Sequence, residues 1–194
     1  MTRQATVERI TRETKVTLAL NLDGTGHYEI NTSIGFLDHM LELFSKHGLF
    51  DLKVDAVGDT QVDFHHLTDD LGICLGQAIK QAVGEKKGLV RYGTSFVPMD
   101  EALVSVHLDL SGRPYLDYQL ELEGKIGEFD AELLRSFFYE VAVHAGLSLH
   151  LRQHAGVNQH HLAEAAFKAF GRALDAATRL DERLNDIPST KGVL

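Results

Sequence analysis

The chain has 194 residues and a formal net charge of −9, with 44% hydrophobic and 24% charged residues. This composition is typical of a globular protein, and the acidic balance argues against nucleic acid or an anionic membrane as a partner. The one cysteine, Cys74, excludes an internal disulfide, and no apolar run approaches the roughly 20 residues that span a bilayer. We therefore expect a cytoplasmic protein that acts on a small molecule.

The first half of the chain predicts strands and helices in a regular order. Alternating apolar residues over 16–22, an Asp-Gly-Thr-Gly turn signal and a returning strand over 28–30 together predict a β-hairpin. Apolar residues at helical spacing follow over 36–46, and alternation over 49–57 predicts a further strand. A long amphipathic helix is predicted over 65–83, where Gly84 ends it.

The second half repeats this order. A strand over 101–110 enters a Ser-Gly-Arg-Pro turn, a returning strand covers 115–122, and a helix, a strand and a long helix follow over 132–143, 147–151 and 160–180. The residues repeat as well, since HHLTD at 65–69 aligns with HHLAE at 160–164, and Glu13 aligns with Glu101. We therefore predict one compact α+β domain of duplicated βα half-units, 1–90 and 91–194, with two sheets and two helix pairs about a pseudo-twofold axis.

Each long helix begins with a histidine pair followed by a carboxylate. The first histidine and the carboxylate are four residues apart, so they lie on one helix face and can chelate one ion. The second histidine points roughly 100° away and is expected to bind a second ion. Mixed imidazole and carboxylate ligands suit Mn, Fe, Co, Ni or Zn. The candidate ligands are His65, His66, Asp69, His160, His161 and Glu164.

Other interpretations of these pairs are open. The histidines could merely cap the helices, and the segment HHLTDD at 65–70 also resembles the HHxxxD motif of certain acyltransferases, in which a histidine is the general base. The repeat disfavours the acyltransferase, because Asp70 aligns with Ala165 whereas Asp69 aligns with Glu164. A further candidate ligand is His39, which the adjacent Asp38 could orient.

Six sequence blocks carry a family resemblance. They are GFLDHM (35–40), DFHHLTDD (63–70), PMDE (98–101), SGRPY (111–115), HHLAEA (160–165) and PSTKG (188–192). In order and spacing they closely resemble the imidazoleglycerol-phosphate dehydratase family of histidine biosynthesis, from about residue 9 to the end of the chain. The implied reaction removes water from imidazole glycerol phosphate and gives imidazole acetol phosphate, which is the reaction of a hydro-lyase.

The resemblance also implies a fold, a cofactor and an assembly. The expected fold has two mixed sheets flanking a four-helix layer, and the expected cofactor is Mn²⁺, two ions per subunit. The expected partner is the chain itself, in a 24-subunit shell with its sites at subunit interfaces. The implied metal ligands are His39, His65, His66, Asp69, His160, His161 and Glu164.

The resemblance further implies substrate contacts, most of the basic ones to the phosphate. These are Glu13, Arg91, Arg113, Lys168, Ser189 and Lys191. The metals are expected to act as Lewis acids, and Glu13, with Asp100, is a candidate general base or acid. Glu164 is counted among the catalytic carboxylates as well as among the ligands.

Two positions depart from the family pattern. Asp69 stands where the family usually has Glu, and Ser136, the repeat partner of His39, stands where relatives carry His or Glu. One site is therefore expected to bind its metal with fewer protein ligands or more weakly. Two rival functions use the same residues: a dinuclear metallohydrolase, which would release phosphate, and a non-enzymatic metal-storage shell, which would not need Arg113 or Lys191.

Overall fold

The computed structural model describes residues 3–194. The elements of the first half are β1 (Gln4–Ile10), β2 (Thr14–Asn21), β3 (Tyr28–Asn31), α1 (Gly35–Gly48), β4 (Asp51–Gly58) and α2 (His65–Val83). Those of the second half are β5 (Tyr92–Met99), β6 (Ala102–Asp109), β7 (Tyr115–Gln119), β8 (Lys125–Ile126), β9 (Phe129–Asp130), α3 (Leu133–Ala145), β10 (Ser148–Ala155) and α4 (Gln159–Thr178). All four predicted helices are present, and α2 has the predicted bounds.

The first sheet has the strand order β1-β2-β4-β3. β4 pairs antiparallel with β2 and parallel with β3, so the hairpin predicted between 16–22 and 28–30 is wrong. The Asp51 carboxylate accepts hydrogen bonds from the backbone amides of Thr25 (2.8 Å) and His27 (3.1 Å), which ties the turn segment to the start of β4. The hairpin in the structure joins β1 to β2. The sequence pattern misses β1 because Val7 is its one fully buried residue.

The second sheet has the equivalent order, β5-β6-β10-β7. β10 pairs antiparallel with β6 and parallel with β7, so the returning strand predicted over 115–122 does not pair with the strand before it. The hairpin partner of β6 is β5, a strand that the sequence pattern also misses. The β8–β9 hairpin has no counterpart in the described part of the first half. Apart from this insertion, the two halves share one topology.

The helices pack in two equivalent pairs between the sheets, α2 on α3 and α1 on α4. Both pairs approach closely at a glycine. A methyl group added at Gly76 would lie 2.9 Å from the Val141 carbonyl oxygen, and one at Gly171 would lie 2.5 Å from the Phe44 carbonyl oxygen. Such distances leave no room for a side chain. Because α1 corresponds to α3 and α2 to α4, these contacts are related by the predicted pseudo-twofold, and the duplicated α+β fold is confirmed.

Aromatic rings fill the centre of the helix layer. The Phe138 ring centroid lies 5.0 Å from that of Phe167 and 5.7 Å from that of Phe170, which in turn lies 5.2 Å from that of Phe44. All four side chains are fully buried, and each contributes about 1.5–3 kcal/mol through burial. This packing joins α1, α3 and α4, and α2 belongs to the same layer through its contact with α3.

Two further expectations concern the chain as a whole. Within residues 3–194, none of the helices combines the length and the apolar character that crossing a membrane requires. The boundary between the half-repeats, placed at residues 90 and 91, stays a prediction.

Candidate metal centres and basic cleft

The N-termini of α2 and α4 are capped by residues other than the histidines. The Asp63 carboxylate accepts a hydrogen bond from the His65 amide (2.8 Å), and the Asn158 side chain accepts one from the His160 amide (3.0 Å). Asp63 and Asn158 occupy equivalent repeat positions and satisfy the free amides of the first helical turns. The imidazoles therefore do not serve as caps, and their ring nitrogens remain available for other partners.

The first cluster lies between α1 and α4. The nearer Glu164 carboxylate oxygen is 3.1 Å from His39 Nε2 and 3.0 Å from His160 Nε2. Its other oxygen accepts a hydrogen bond of 2.6 Å from Lys168 Nζ. One ligand atom from each of His39, His160 and Glu164 lies within 4.8 Å of the other two, a spacing that suits one metal ion. We call these three residues the α1–α4 cluster.

The charge state of Glu164 suits a metal ligand. Burial works against its charge, but hydrogen bonds from Lys168 and His39 outweigh burial and lower the pKa of the carboxyl to about 2. The carboxylate is therefore ionised at neutral pH. Two imidazoles and an ionised carboxylate form a donor set for a divalent transition metal.

The second cluster, between α2 and α3, is less complete. His65 Nε2 lies 3.3 Å from one Asp69 oxygen, while the other Asp69 oxygen is buried with no hydrogen-bond partner within residues 3–194. Burial raises the pKa of the Asp69 carboxyl. Ser136, at the position equivalent to His39, supplies no imidazole. We call His65, Asp69 and Ser136 the α2–α3 cluster. An unpaired buried carboxylate oxygen is a group that a bound cation would satisfy.

The second histidine of each pair turns away from these clusters, as the helical geometry predicts. His66 Nδ1 lies 3.0 Å from Asp59 and 3.8 Å from Glu13. His161 Nδ1 lies 2.8 Å from Glu101, and His161 Nε2 lies 3.9 Å from Asp100. Each imidazole thus meets carboxylates of its own half.

These carboxylates include partners that the sequence does not assign. Hydrogen bonds to Asp59 and Glu101 raise the pKa of His66 and His161 respectively, and the bond from His161 lowers the pKa of Glu101 to about 2. The alignment of Glu13 with Glu101 is the signal that could have identified Glu101. Asp59 has no such signal, because β10 ends at Ala155 without an acidic residue in the equivalent place.

Asp38 has a different role from the predicted one. Its carboxylate accepts hydrogen bonds from the Thr32 amide (2.7 Å) and the Thr32 hydroxyl (2.6 Å), which fixes the entry into α1. It is therefore not a hydrogen-bond partner of His39, whose other ring nitrogen lies 3.8 Å from Glu42. The side chain next in sequence points elsewhere because successive helical residues are about 100° apart.

A basic cleft lies at the C-terminal segment. Its polar lining includes Arg91, Arg113, Ser189 and Lys191, so four of the six predicted substrate contacts come together. Arg91 is already engaged: it pairs with Asp109 (2.7 Å) and donates to the Pro188 carbonyl (2.7 Å). No hydrogen bond or ion pair of the Arg113 guanidinium occurs within residues 3–194. Arg91 therefore holds the C-terminal segment, whereas Arg113 is free for an anion.

The other two predicted substrate contacts lie elsewhere in the chain. Lys168 is next to Glu164 and 3.4 Å from the Met99 sulfur, while Glu13 is beside His66 in the turn between β1 and β2. Within one chain, these two residues border the histidine clusters and do not line the cleft. Their contact with substrate stays a prediction.

The fold and these clusters define a class: a duplicated α+β protein with candidate imidazole–carboxylate metal sites between paired helices and a separate basic cleft. A model of the family "Imidazoleglycerol-phosphate dehydratase" matches residues 32–174. The imidazoleglycerol-phosphate dehydratases of Geobacter sulfurreducens and Acetivibrio thermocellus are 56% and 58% identical to this chain, over 100% of both sequences.

Solved structures agree with this assignment. The imidazoleglycerol-phosphate dehydratase of Staphylococcus aureus has a TM-score of 0.83 and 41% identity, covering 92% of this chain and 99% of its own. The corresponding structure from Pyrococcus furiosus has a TM-score of 0.84 and 37% identity, covering 97% and 100%. The chain belongs to the imidazoleglycerol-phosphate dehydratase family, and the predicted family is confirmed.

Proposed function

We propose that the two helix clusters hold two Mn²⁺ ions per chain and that the basic cleft holds the substrate phosphate. The chain is a hydro-lyase: it removes water from imidazole glycerol phosphate, giving imidazole acetol phosphate, in histidine biosynthesis. The observation that carries the metal proposal is the convergence of His39, His160 and Glu164 on one point.

The donor set supports a divalent transition metal. It contains neutral nitrogen and anionic oxygen donors and no thiolate, which suits Mn²⁺ and disfavours structural zinc. In the α2–α3 cluster, the buried Asp69 oxygen that lacks a partner in the described part of the chain fits the same requirement. A bound divalent ion would supply Lewis acidity at the substrate's imidazole. We assign the seven predicted ligands to these ions. His66 and His161 are each assigned to a different ion from the one that binds the first histidine and the carboxylate of the same helix.

The acid–base groups are proposed among the carboxylates beside His66 and His161. Glu13 and Asp100 both lie in turns that join the first two strands of a sheet, at the open end of each long helix. Neither is the closest partner of its imidazole, since Asp59 and Glu101 take that place. Glu13 and Asp100 are therefore not needed to orient an imidazole, and each is free to accept a proton from the substrate or to donate one to it. We propose Glu13 as the principal acid–base group.

The charges of the cleft support its assignment to phosphate. Arg113 and Lys191 offer cationic donors, and Ser189 offers a hydroxyl, the groups that phosphate oxygens prefer. Lys168 lies outside the cleft, beside Glu164: an ammonium 2.6 Å from that carboxylate keeps it ionised as a ligand. Contact of Lys168 with substrate stays a prediction, and it fits the proposed position of the substrate's imidazole at the metal of the α1–α4 cluster.

A homo-oligomeric shell, 24 subunits by the family resemblance, is part of the proposal. Val62 and Val157 occupy equivalent repeat positions just before the two histidine pairs, and their exposed fractions are 64% and 87%. Apolar side chains so exposed beside both metal clusters are suited to a contact with another subunit. The cytoplasmic location expected from the sequence stays a prediction.

A turnover assay on metal-stripped protein tests the function and its metal together. Imidazole glycerol phosphate is supplied with and without Mn²⁺, and the ketone product and free phosphate are followed in the same reaction. We expect Mn²⁺-dependent ketone without phosphate. Release of phosphate would instead indicate the metallohydrolase, and equal turnover in the absence of metal would contradict the metal proposal.

A further inference from the structure

A second group of histidines lies on the outer face of the second sheet, remote from the helix layer. His107 is on β6 and faces His150 of β10 directly across the antiparallel pair. His154 follows on β10 at the point where the register shifts, between Gln153 and Ala155. The alternate residues of these strands, such as Val106, are buried against the helices, so the imidazoles point outward.

Two of these imidazoles converge on one oxygen atom. His107 Nε2 lies 3.0 Å and His154 Nε2 lies 2.7 Å from the hydroxyl oxygen of Ser105. The irregularity in β10 brings His154 into this position, because a bulge redirects the side chain beside it. Ser105 itself is fully buried beneath the two rings. The Ser105 hydroxyl thus lies below the two rings, and one nitrogen of each ring lies within hydrogen-bond distance of it.

An aromatic ring holds the two imidazoles in position. Phe96, the partner of Ser105 on β5, has its ring centroid 5.7 Å from that of His107 and 5.3 Å from that of His154. Its exposed fraction is 55%, which is high for a phenylalanine. Phe96 therefore packs against both rings.

The electrostatics separate this pair from the neighbouring histidine. Burial, followed by the charges of His150, Arg152 and His154, lowers the pKa of His107, which keeps its ring neutral at pH 7. The nearest polar groups of His107 are hydroxyls, of Thr94 and Ser105, whereas His150 Nδ1 lies 3.1 Å from the Asp117 carboxylate. A neutral imidazole is the form that binds metal ions.

We propose that His107 and His154, above the Ser105 hydroxyl, form a surface site for a divalent ion of the Ni²⁺, Cu²⁺ or Zn²⁺ type. Imidazole ligands select these ions over Mg²⁺ and Ca²⁺, and solvent completes the coordination sphere at a two-histidine site. The site is separate from both helix clusters, and the dehydratase reaction does not require it. A rigid sheet holds the two histidines, so little ordering is needed on binding.

Equilibrium dialysis of the Mn²⁺-loaded protein against Ni²⁺ tests the proposal, with both metals counted per chain. The His107→Gln/His154→Gln variant should bind one Ni²⁺ fewer than the unchanged protein at the same free concentration. His27→Gln is the matched control, since His27 is an exposed histidine in the loop just before β3 of the other sheet. The control should keep the full Ni²⁺ count, and all three proteins should keep the same Mn²⁺ count and turnover.

The result that overturns the proposal is an equal Ni²⁺ content in the double variant and the unchanged protein. An equal loss of Ni²⁺ from a His150→Gln variant alone would overturn it as well, because the ligand pair would then be wrong. A second measurement is independent of stoichiometry. With the helix clusters filled by Mn²⁺ and Cu²⁺ added at less than one equivalent per chain, the electron paramagnetic resonance spectrum should show coupling to imidazole nitrogens. The intensity of this signal should fall in the double variant and be unchanged in His27→Gln.

Discussion

The α1–α4 cluster and the α2–α3 cluster are built on equivalent helices but are prepared for metal to different degrees. In the former, Glu164 meets two imidazoles and a lysine, and its pKa falls to about 2. In the latter, Asp69 meets one imidazole and has a raised pKa, and one of its oxygens has no hydrogen-bond partner among residues 3–194. The duplicated backbone supplies two equivalent positions, and the side chains decide how many ligand groups lie at each position and how readily its carboxylate is ionised.

The difference arises from two residues. Asp69 is one methylene shorter than Glu164, and Ser136 replaces the imidazole that His39 supplies in the other half. Burial disfavours the charged form of Asp69, whereas hydrogen bonds stabilise the charged form of Glu164, and the α2–α3 cluster has one imidazole fewer. We therefore expect the α2–α3 cluster to be the weaker site in an isolated chain.

The largest expected effect is that of Glu164→Gln. The change removes an anionic ligand and leaves the Lys168 ammonium without its partner, so kcat/KM should fall by at least about 100-fold and stability by about 3–5 kcal/mol. Steady-state kinetics at saturating Mn²⁺ and chemical denaturation measure the two effects. Asp175→Asn, on the same helix in a surface ion pair with Arg179, is the control and should change neither. If Asp69→Asn lowered kcat/KM as much as Glu164→Gln does, the expected difference between the two clusters would be contradicted.

The next effect concerns the cleft and should leave both clusters unchanged. Arg113→Gln removes a charged hydrogen-bond donor to phosphate, worth about 1.5–3 kcal/mol, so KM should rise by about 10- to 100-fold. The Mn²⁺ content per chain should stay the same. Arg91→Gln should behave differently, lowering stability because Asp109 and the Pro188 carbonyl lose their partner. A change in metal content with Arg113→Gln would contradict the separation of cleft and clusters.

A gain of metal affinity is expected from Ser136→His. Placing an imidazole at the position equivalent to His39 should strengthen Mn²⁺ binding at the weaker site by about tenfold, or 1.4 kcal/mol. Equilibrium dialysis with Mn²⁺ resolves the two affinities, and they should move closer together. Ser136→Asn, which adds bulk and polarity without an imidazole, serves as the control. If both variants leave the weaker affinity unchanged, Ser136 is not the missing ligand position.

The smallest effect should come from Cys74→Ala. Cys74 follows Asp69 by five positions, as Ala169 follows Glu164, so the change makes the two long helices more alike. Burial, followed by the Asp70 charge, raises the pKa of the thiol to about 11, so it is not an available ligand. We expect about 1 kcal/mol of lost stability and unchanged turnover. A fall in Mn²⁺ content would show that the thiol is a ligand after all.

The elements were predictable where their signal is local. The helix over 65–83 has a full apolar stripe and a glycine end, and its bounds match α2. The strand pairing was not predictable in this way. The Asp-Gly-Thr-Gly segment has the composition of a hairpin turn, yet Asp51, distant in sequence, binds its amides and directs β3 to β4. β1 shows little alternation because the helix layer covers only its centre, at Val7.

For the site, the sequence determined which residue types could bind metal and at what helical spacing. His160 and Glu164 share a helix face whatever the rest of the chain does, because that relation follows from 3.6 residues per turn. Only the tertiary structure decided that His39 lies beside them and that Lys168 pairs with Glu164 and does not line the cleft. It also decided that Asp59 and Glu101 are the partners of the second histidines. Most of these contacts depend on the packing of α1 on α4 and of turns on helix ends, and no local sequence pattern encodes that packing.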